Sequence, residues 1–306
     1  MFQIIFRTEI GSRIVYLEWV SDLGSNYKYS IIELLMLKNI GNWFTRLPSS
    51  VKVPFKRIWY DRISALDQDA DMIFMNYGWA GEEEEASLEL LPEDEHNRYC
   101  IQLYHRAANA IDLNGLDVLE VGSGRGGGAA YIKRYLKPHL LTGLDYTKRA
   151  VDFCRTHYRI PGLNFVQGNA ESLEFEQGRF DAVVNVESSH CYAAFDRFLA
   201  GVHQVLKPGG HLLLTDFRLR DEVPALKNAF RDAGLHITEE EVINPAILRA
   251  LRLDNARKQA LIQAKVPKFI QSVFHQFASM EETSAFGEMM RTGEVQYLRF
   301  VLQKPA

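Results

Sequence analysis

The sequence has few cysteines, no long apolar run and no excess of positive charge. Its three cysteines, Cys100, Cys154 and Cys191, form neither a Cys-x-x-Cys pair nor a metal-ligand spacing, which favours free thiols in a reducing compartment. No stretch approaches about 20 uninterrupted apolar residues, so we expect no membrane-spanning helix. Charged residues at positions 7, 9, 13 and 18 interrupt the apolar N-terminus, which does not resemble a signal peptide. We therefore expect a soluble, cytoplasmic protein.

The charge balance argues against a nucleic-acid partner. The 306 residues carry a formal net charge of -4 and have a pI near 6.2. With 47% apolar residues, the chain is long enough to bury a substantial core. These values indicate a globular protein of one large domain or two modest ones.

A regular alternation of short apolar strands and helical segments begins at Leu116 and predicts an α/β fold with a parallel sheet. A helical stretch of residues 244–291 precedes one last strand. We divide the chain into an N-terminal helical extension and substrate cap (1–108), a cofactor-binding core (109–243), and a helical cap insertion with the final core strand (244–306).

The N-terminal extension contains one strongly periodic segment, Ile31–Phe44, whose apolar residues recur at helical spacing. Few basic residues lie on its polar face, so membrane-surface binding is the weaker interpretation. We expect this stripe to pack over the active site or to form a homo-oligomer interface.

A glycine-rich turn follows the first core strand in the stretch LEVGSGRGGG. Glycines at 122, 124 and 127 satisfy the Gly-x-Gly-x-x-Gly pattern of dinucleotide sites, which alone is a weak signal. Glu120, just before the turn, would repel a pyrophosphate but attract an ammonium group. Asp145 ends the next strand, where a carboxylate can accept hydrogen bonds from ribose hydroxyls.

The order of motifs extends this pattern. Asn169, Ala170 and Glu171 follow the third strand, where they can face an adenine edge, and LKPGG reads as a turn before the fifth strand. Together these motifs resemble the class I S-adenosylmethionine-dependent methyltransferases over residues 110–240, with Asn169 in place of the usual acid. The resemblance implies a Rossmann-like fold, S-adenosylmethionine as cofactor and S-adenosylhomocysteine as product. We predict the following cofactor-binding residues: Glu120, Gly122, Gly124, Asp145, Tyr146, Asn169, Ala170, Glu171 and Asn185.

The stretch NVESSHCY ends the fourth strand, and ligands bind at the carboxyl ends of strands in this kind of sheet. It resembles the sterol C-methyltransferases and, more closely, the phthiotriolone dimycocerosate O-methyltransferases. The latter resemblance includes Trp59-Tyr60, Asn97-Arg98 and the aromatic segment Phe74 to Trp79. We predict catalytic roles for Glu187, His190 and Tyr192. We predict substrate contacts for Tyr77, Trp79 and Cys191, although a packing role is the stronger interpretation of the cysteine.

Two chemistries fit this turn. For a hydroxyl acceptor, His190 is the natural base because imidazole titrates near neutrality. For an alkene acceptor, methylation leaves a carbocation that Glu187 and the aromatic faces of Tyr77, Trp79 and Tyr192 can stabilise.

The prediction favours C-methylation of a prenyl-type alkene, with O-methylation of a lipid or polyketide hydroxyl as the alternative. We expect no metal site, and Mg²⁺ only with a diphosphate acceptor. Two other classes, an NAD-linked oxidoreductase and a non-catalytic S-adenosylmethionine-binding protein, are disfavoured by Glu120 and by the intact pair Glu187 and His190, respectively.

Overall fold

The computed structural model describes residues 4–10, 13–19, 70, 72–82, 88–265 and 285–306. The chain divides into two compact units, Met1–Trp43 and Phe44–Ala306. In the first unit, β1 (Ile4–Ile10) pairs antiparallel with β2 (Arg13–Trp19). The extension therefore begins with a hairpin rather than a helix, because these residues alternate in period two with β-branched side chains. The predicted helix at Ile31–Phe44, and with it the oligomer interface, lies outside the described residues.

The second unit is built on a seven-stranded sheet of order β5-β4-β3-β6-β7-β9-β8. Its strands are β3 (Asp117–Val121), β4 (Leu140–Asp145), β5 (Leu163–Gln167), β6 (Phe180–Val186), β7 (Leu206–Leu219), β8 (His236–Val242) and β9 (Val295–Gln303). Strands β3 to β7 are parallel, whereas β9 runs antiparallel to both β7 and β8. The predicted Rossmann-like fold is confirmed. The LKPGG segment, predicted as a turn, forms the start of β7.

Helices flank this sheet. They are α1 (Arg98–Ala108), α2 (Gly127–Tyr131), α3 (Lys148–His157), α4 (Phe195–Val205), α5 (Val223–Asp232), α6 (Asn244–Lys265) and α7 (Ala285–Arg291). A single π-helical turn, Ile132–Leu136, extends α2. Helices α6 and α7 lie between β8 and β9, which confirms the predicted helical insertion before the last strand. The three-part domain division stays a prediction.

Two apolar clusters cover the two faces of the sheet. Val118 and Val184 point into one cluster, and their neighbours Leu119 and Val183 point into the other, as the two-residue period of a strand requires. All four side chains are fully buried. Burial on both faces fixes the register, so the carboxyl ends of β3 to β7 lie along one edge of the sheet.

Within the described ranges, no helix is long and apolar enough to cross a membrane.

Candidate active site

The glycine turn between β3 and α2 lies where the chain after β3 comes into close contact with the chain after β6. Gly122 has φ of 81°, and a Cβ atom there would lie 1.9 Å from Ser188 Oγ. The backbone N–H of Gly122 donates to the carbonyl of Leu144 over 2.7 Å. Gly124 has φ of 52°, which also favours glycine. Because Gly122 and Gly124 have no side chains, a ligand can approach the backbone of the turn at the edge of the sheet.

Glu120 lies beneath this turn with a fully buried side chain. Burial raises the pKa of its carboxyl to about 7, and the nearby Tyr104 hydroxyl offsets part of that effect. Within the described part of the chain, neither carboxylate oxygen makes a hydrogen bond of ordinary geometry. A buried acid in this state is stabilised by an incoming cation such as an ammonium group.

Asp145 ties the end of β4 to the glycine turn. Its Oδ2 accepts from the backbone N–H of Gly124 over 2.9 Å, and its Oδ1 accepts from that of Thr147 over 2.8 Å. Burial raises the pKa of the carboxyl, and the two backbone donors lower it. Each oxygen keeps a lone pair for a ribose hydroxyl. The neighbouring Tyr146 is 53% exposed and lines the same cavity.

The remaining predicted cofactor residues divide into lining and supporting positions. Asn169 and Ala170 line the cavity. The carboxylate of Glu171 instead accepts from the backbone N–H of Ala193 over 2.8 Å and is not part of the lining. Asn185 is fully buried and donates to the carbonyl of Val121 over 2.8 Å, so it supports the floor of the site.

The cavity runs along the carboxyl ends of β3, β4, β5 and β6, and the segment 73–76 covers it. Its lining residues are Ile73, Phe74, Met75, Asn76, Tyr104, Gly122, Ser123, Gly124, Arg125, Leu144, Asp145, Tyr146, Thr147, Ala150, Asn169, Ala170, Val186, Glu187, Ser188, Cys191 and Tyr192. Arg125 contributes a cation to this lining, and its guanidinium stacks on the Phe153 ring at 3.8 Å. A bare glycine turn among carboxylates fits a ligand with an ammonium group and ribose hydroxyls, as in S-adenosylmethionine, better than a pyrophosphate.

Glu187 occupies the first position after β6 with φ of 46°, a left-handed conformation that is uncommon for a residue with a side chain. Its Oε1 accepts from the backbone N–H of Tyr77 over 2.7 Å and from the Tyr297 hydroxyl. Burial raises the pKa of the carboxyl to about 7, although both donors favour its charged form. Glu187 therefore joins three distant parts of the chain at the wall of the cavity.

His190 is held by Asp216, which lies on the neighbouring strand β7. The imidazole Nδ1 and Asp216 Oδ1 are 2.8 Å apart, and the backbone N–H of His190 donates to Asp216 Oδ2 over 2.8 Å. Burial alone would lower the pKa of His190, but the negative charge of Asp216 outweighs it and raises the pKa to about 9. Arg218 lies 3.3 Å from the same carboxylate, and both cations hold the pKa of Asp216 well below its usual range despite burial.

Aromatic rings surround this pair. The His190 ring packs on Phe217 with centroids 4.5 Å apart. Phe217 in turn contacts the rings of Tyr77, Phe286 and Tyr297 at 5.3–6.1 Å. We call Tyr77, Phe217, Phe286 and Tyr297 the aromatic cluster. It connects His190 to Glu187 through apolar surface.

The predicted substrate and catalytic residues thus lie in three places. Cys191 and Tyr192 line the cavity, and the Tyr192 hydroxyl bonds Ser188 Oγ over 2.7 Å. Tyr77 belongs to the aromatic cluster, whereas His190 packs beside it and is not part of the cavity lining. Trp79 is only 7% exposed and lies in the core near the Arg106 guanidinium, 6.0 Å away. The core encloses this indole, and its role as a substrate contact stays a prediction.

Sequence reasoning missed Asp216, Tyr297 and Tyr104. Asp216 carried a signal, since it follows an apolar run in LLLTDF just as Asp145 does in LLTGLD. Tyr297 and Tyr104 carried none, because their roles depend on contacts with residues far away in the sequence, 110 positions in the case of Tyr297 and Glu187.

Residues 119–214 match the family described as a methyltransferase domain. The chain is also 38% identical over 239 residues to the fatty-acid O-methyltransferase of Mycolicibacterium smegmatis, covering 78% of this chain and 86% of that protein. This chain belongs to the S-adenosylmethionine-dependent methyltransferases. The predicted activity and cofactor are thereby confirmed.

Two further comparisons agree with this assignment. The methyltransferase shares 37% identity over 249 residues with the phthiotriol/phenolphthiotriol dimycocerosates methyltransferase of Mycobacterium tuberculosis, covering 81% of this chain and 91% of that protein. The cyclopropane synthase MmaA2 from Mycobacterium tuberculosis superposes with a TM-score of 0.64 at 16% identity, covering 79% of this chain and 95% of that chain. At that identity the structural likeness supports the fold alone.

Proposed function

We propose that this methyltransferase methylates an oxygen atom of a lipid-like acceptor. His190 either pairs with the negative charge of an ionised acceptor or accepts the proton of a hydroxyl acceptor. The observation that carries the proposal is the 2.8 Å contact between His190 Nδ1 and Asp216 Oδ1. A carboxylate on Nδ1 fixes the tautomer and orientation of the ring, so Nε2 is the nitrogen that can meet an acceptor.

The surroundings of His190 support an apolar acceptor. The aromatic cluster offers large apolar surface next to one polar group, the arrangement that suits a lipid with a single reactive oxygen. The names of the relatives, a fatty-acid O-methyltransferase and a dimycocerosates methyltransferase, also point to lipids.

Bound S-adenosylmethionine supplies an electrophilic methyl group on positively charged sulfur. The chain's own residues bind and orient this cofactor. Glu120 binds the ammonium group, Asp145 binds the ribose, and Asn169 with Ala170 contacts the adenine. Segment 73–76 covers the cavity and excludes water. His190 lies one residue before the lining residue Cys191, so its imidazole is close to the same edge of the sheet.

The charge of His190 favours a carboxylic acid as the acceptor. With a pKa of about 9, the imidazole is positively charged at neutral pH and can donate a charge-assisted hydrogen bond to an ionised carboxylate. No proton then has to leave. A hydroxyl acceptor needs the neutral imidazole as base, and that form accumulates only as the pH approaches 9.

Two acceptors with the same hydrocarbon chain, one an acid and one an alcohol, test the preference for a carboxylic acid. Initial rates on a long-chain fatty acid and on the matching fatty alcohol are measured from pH 6 to 10. We expect methyl ester formation at neutral pH that declines as the pH passes about 9. Ether formation from the alcohol that rises towards pH 9 would instead identify a hydroxyl enzyme with His190 as base. Product from neither acceptor, in the presence of bound cofactor, would contradict a simple lipid oxygen as acceptor.

C-methylation of a prenyl-type alkene remains the second candidate because one observation favours it. The Glu187 carboxylate lies among the rings of Tyr77 and Tyr297, an arrangement that stabilises positive charge on carbon. A diphosphate acceptor has less support. Its diphosphate needs cations, for which the sequence offers Lys56, Arg57, Arg98 and Arg106. Arg98 pairs with Glu95 and Arg106 with Glu241, while Lys56 and Arg57 lie outside the described residues. Mg²⁺ enters only with such an acceptor.

A further inference from the structure

The buried acids of the described chain fall into two groups. Asp216 pairs with His190 and Arg218, and Asp254 pairs with Arg257 at 2.5 Å and with Lys258 at 3.7 Å. Glu120, Asp145 and Glu187, by contrast, make no ion pair with any described residue. Glu120 is fully buried, and Asp145 and Glu187 are half-buried at the wall of the cavity. When no cation of the protein compensates the desolvation penalty of such a carboxylate, the acid is a candidate partner for a cation of the ligand.

S-adenosylmethionine brings two positive charges, one on its ammonium group and one on its methylated sulfur. S-adenosylhomocysteine keeps the ammonium group but has a neutral sulfur. Of these three acids, Asp145 suits the ribose hydroxyls, which leaves Glu120 and Glu187 for the two cations of the first ligand. Only one of the two cations is still present in the second.

Position along the sheet assigns each acid to one charge. Asp145 and Asn169, which suit the adenosine, lie at the ends of β4 and β5. Glu187 follows β6, which is three strands away from β5, a separation of about 14 Å at the usual strand spacing. Glu187 is therefore at the end of the cavity remote from the adenosine, where the sulfur and its methyl group belong.

The orientation of Glu187 fits this assignment. Its Oε1 already accepts from the Tyr77 backbone and the Tyr297 hydroxyl, so these donors leave Oε2 for a ligand. Its left-handed backbone, with φ of 46°, is a cost that the fold maintains at the wall of the cavity.

We propose that Glu187 distinguishes S-adenosylmethionine from S-adenosylhomocysteine by pairing with the positive charge on sulfur. When the methyl group has been transferred, that charge is gone and the pairing is lost, which favours release of the product. Glu120 pairs with the ammonium group and does not discriminate. The inference rests on the cofactor, not on the acceptor proposed above, so it stands or falls independently of that acceptor.

Calorimetry tests the proposal with three ligands: S-adenosylmethionine, S-adenosylhomocysteine and sinefungin, which carries an amine in place of the methylated sulfur. For Glu187→Gln we expect affinity for the two ligands charged at this position to fall about 10- to 100-fold, and affinity for S-adenosylhomocysteine to change less than about threefold. Glu120→Gln is the matched control, since it removes the acid assigned to the ammonium group. It should weaken all three ligands by a similar factor.

Equal losses for all three ligands in Glu187→Gln, or no loss for any, would overturn the proposal. Tyr297→Phe provides a second variant in case Glu187→Gln does not fold, because it loosens the carboxylate without removing its charge. It should reduce the ratio of the two affinities by a smaller factor. An unchanged ratio in Tyr297→Phe would count against a role for the held carboxylate.

Discussion

The two parts of the site on either side of strand β6 differ in whether their acids are paired with cations of the protein. Towards β3 and β4, Glu120 and Asp145 form no ion pair with any described residue, and glycines leave the backbone of the turn without side chains. Towards β7 and β9, Asp216 is matched by His190 and Arg218, and aromatic rings enclose the pair. The first side has acids that a positively charged ligand can compensate, whereas the second has two cations on one acid and is otherwise apolar.

This difference separates the two substrates of a methyltransferase. A cationic nucleoside compensates the unpaired acids on the cofactor side, because a buried carboxylate gains most from a ligand that brings the missing charge. A lipid acid suits the other side, because the aromatic cluster offers apolar surface to its chain and the His190 imidazolium can meet its carboxylate.

The largest effect is expected for His190→Ala, which acts on the acceptor side alone. Turnover should fall roughly 10²- to 10⁴-fold if a hydroxyl is the acceptor, since the base is lost. With a carboxylate acceptor, the loss should appear mainly as a higher KM. Affinity for S-adenosylmethionine should stay the same in both cases. His139→Ala is the control, because that imidazole is exposed and pairs with Asp117. A His190→Ala variant that loses cofactor binding would contradict the separation of the two sides.

Asp145→Ala acts on the cofactor side. Loss of the ribose hydrogen bonds should weaken S-adenosylmethionine by roughly 1.5–3 kcal/mol, measured by calorimetry. Asp152→Ala, which removes an exposed acid paired with Lys148, should leave the affinity unchanged. Unchanged cofactor affinity in Asp145→Ala, together with new affinity for NAD, would contradict the assignment of the ribose site.

Gly122→Ala tests the junction between the two sides. A Cβ atom would lie 1.9 Å from Ser188 Oγ on a backbone with φ of 81°, so both overlap and strain oppose it. Unfolding free energy should fall by roughly 2–4 kcal/mol in denaturant titration. Gly115→Ala isolates the strain, because its φ is 76° with no atom within 4 Å of the added Cβ. Equal losses for the two variants would mean that the contact with Ser188 is unimportant.

A further effect concerns pH and the His190–Asp216 pair. The folded-state pKa of His190 is about 9, above the ordinary value of 6.5. Its contribution to stability is therefore complete below about pH 6.5 and is lost as the pH rises through 9, a change on the order of 3 kcal/mol. Melting curves of the wild type and of His190→Gln should converge over this range. A constant difference between them would show that Asp216 does not stabilise the imidazolium.

Local pattern was enough to predict which strand ends carry the candidate residues of the cofactor side and two of those on the acceptor side, while their roles stay predictions. Glu120, Gly122 and Asp145 belong to short stretches in which a strand meets a turn, so their positions follow from the chain itself. Glu187 and His190 were found for the same reason. Their partners Asp216 and Tyr297 depend on the sheet order, in which β9 inserts antiparallel between β7 and β8. A single sequence does not specify that order.

The start of β7 and the position of Trp79 show two other limits. LKPGG contains the residues of a turn, yet Leu206 pairs with Phe180 and begins the strand. Trp79 lies two residues from Tyr77 in an aromatic segment, but Trp79 packs in the core whereas Tyr77 belongs to the aromatic cluster. Tertiary packing decides both cases, and neither could be predicted from composition or periodicity.

The most direct test of the proposed chemistry is the position of the transferred methyl group. Wild-type protein is incubated with a long-chain unsaturated fatty acid and with S-adenosylmethionine carrying a labelled methyl group, and the product is analysed by NMR and mass spectrometry. We predict the label on the carboxyl oxygen, as a methyl ester, with the double bond unchanged. A label attached to a carbon atom of the chain would contradict O-methylation and would identify Glu187 with its aromatic neighbours as a site for a carbocation.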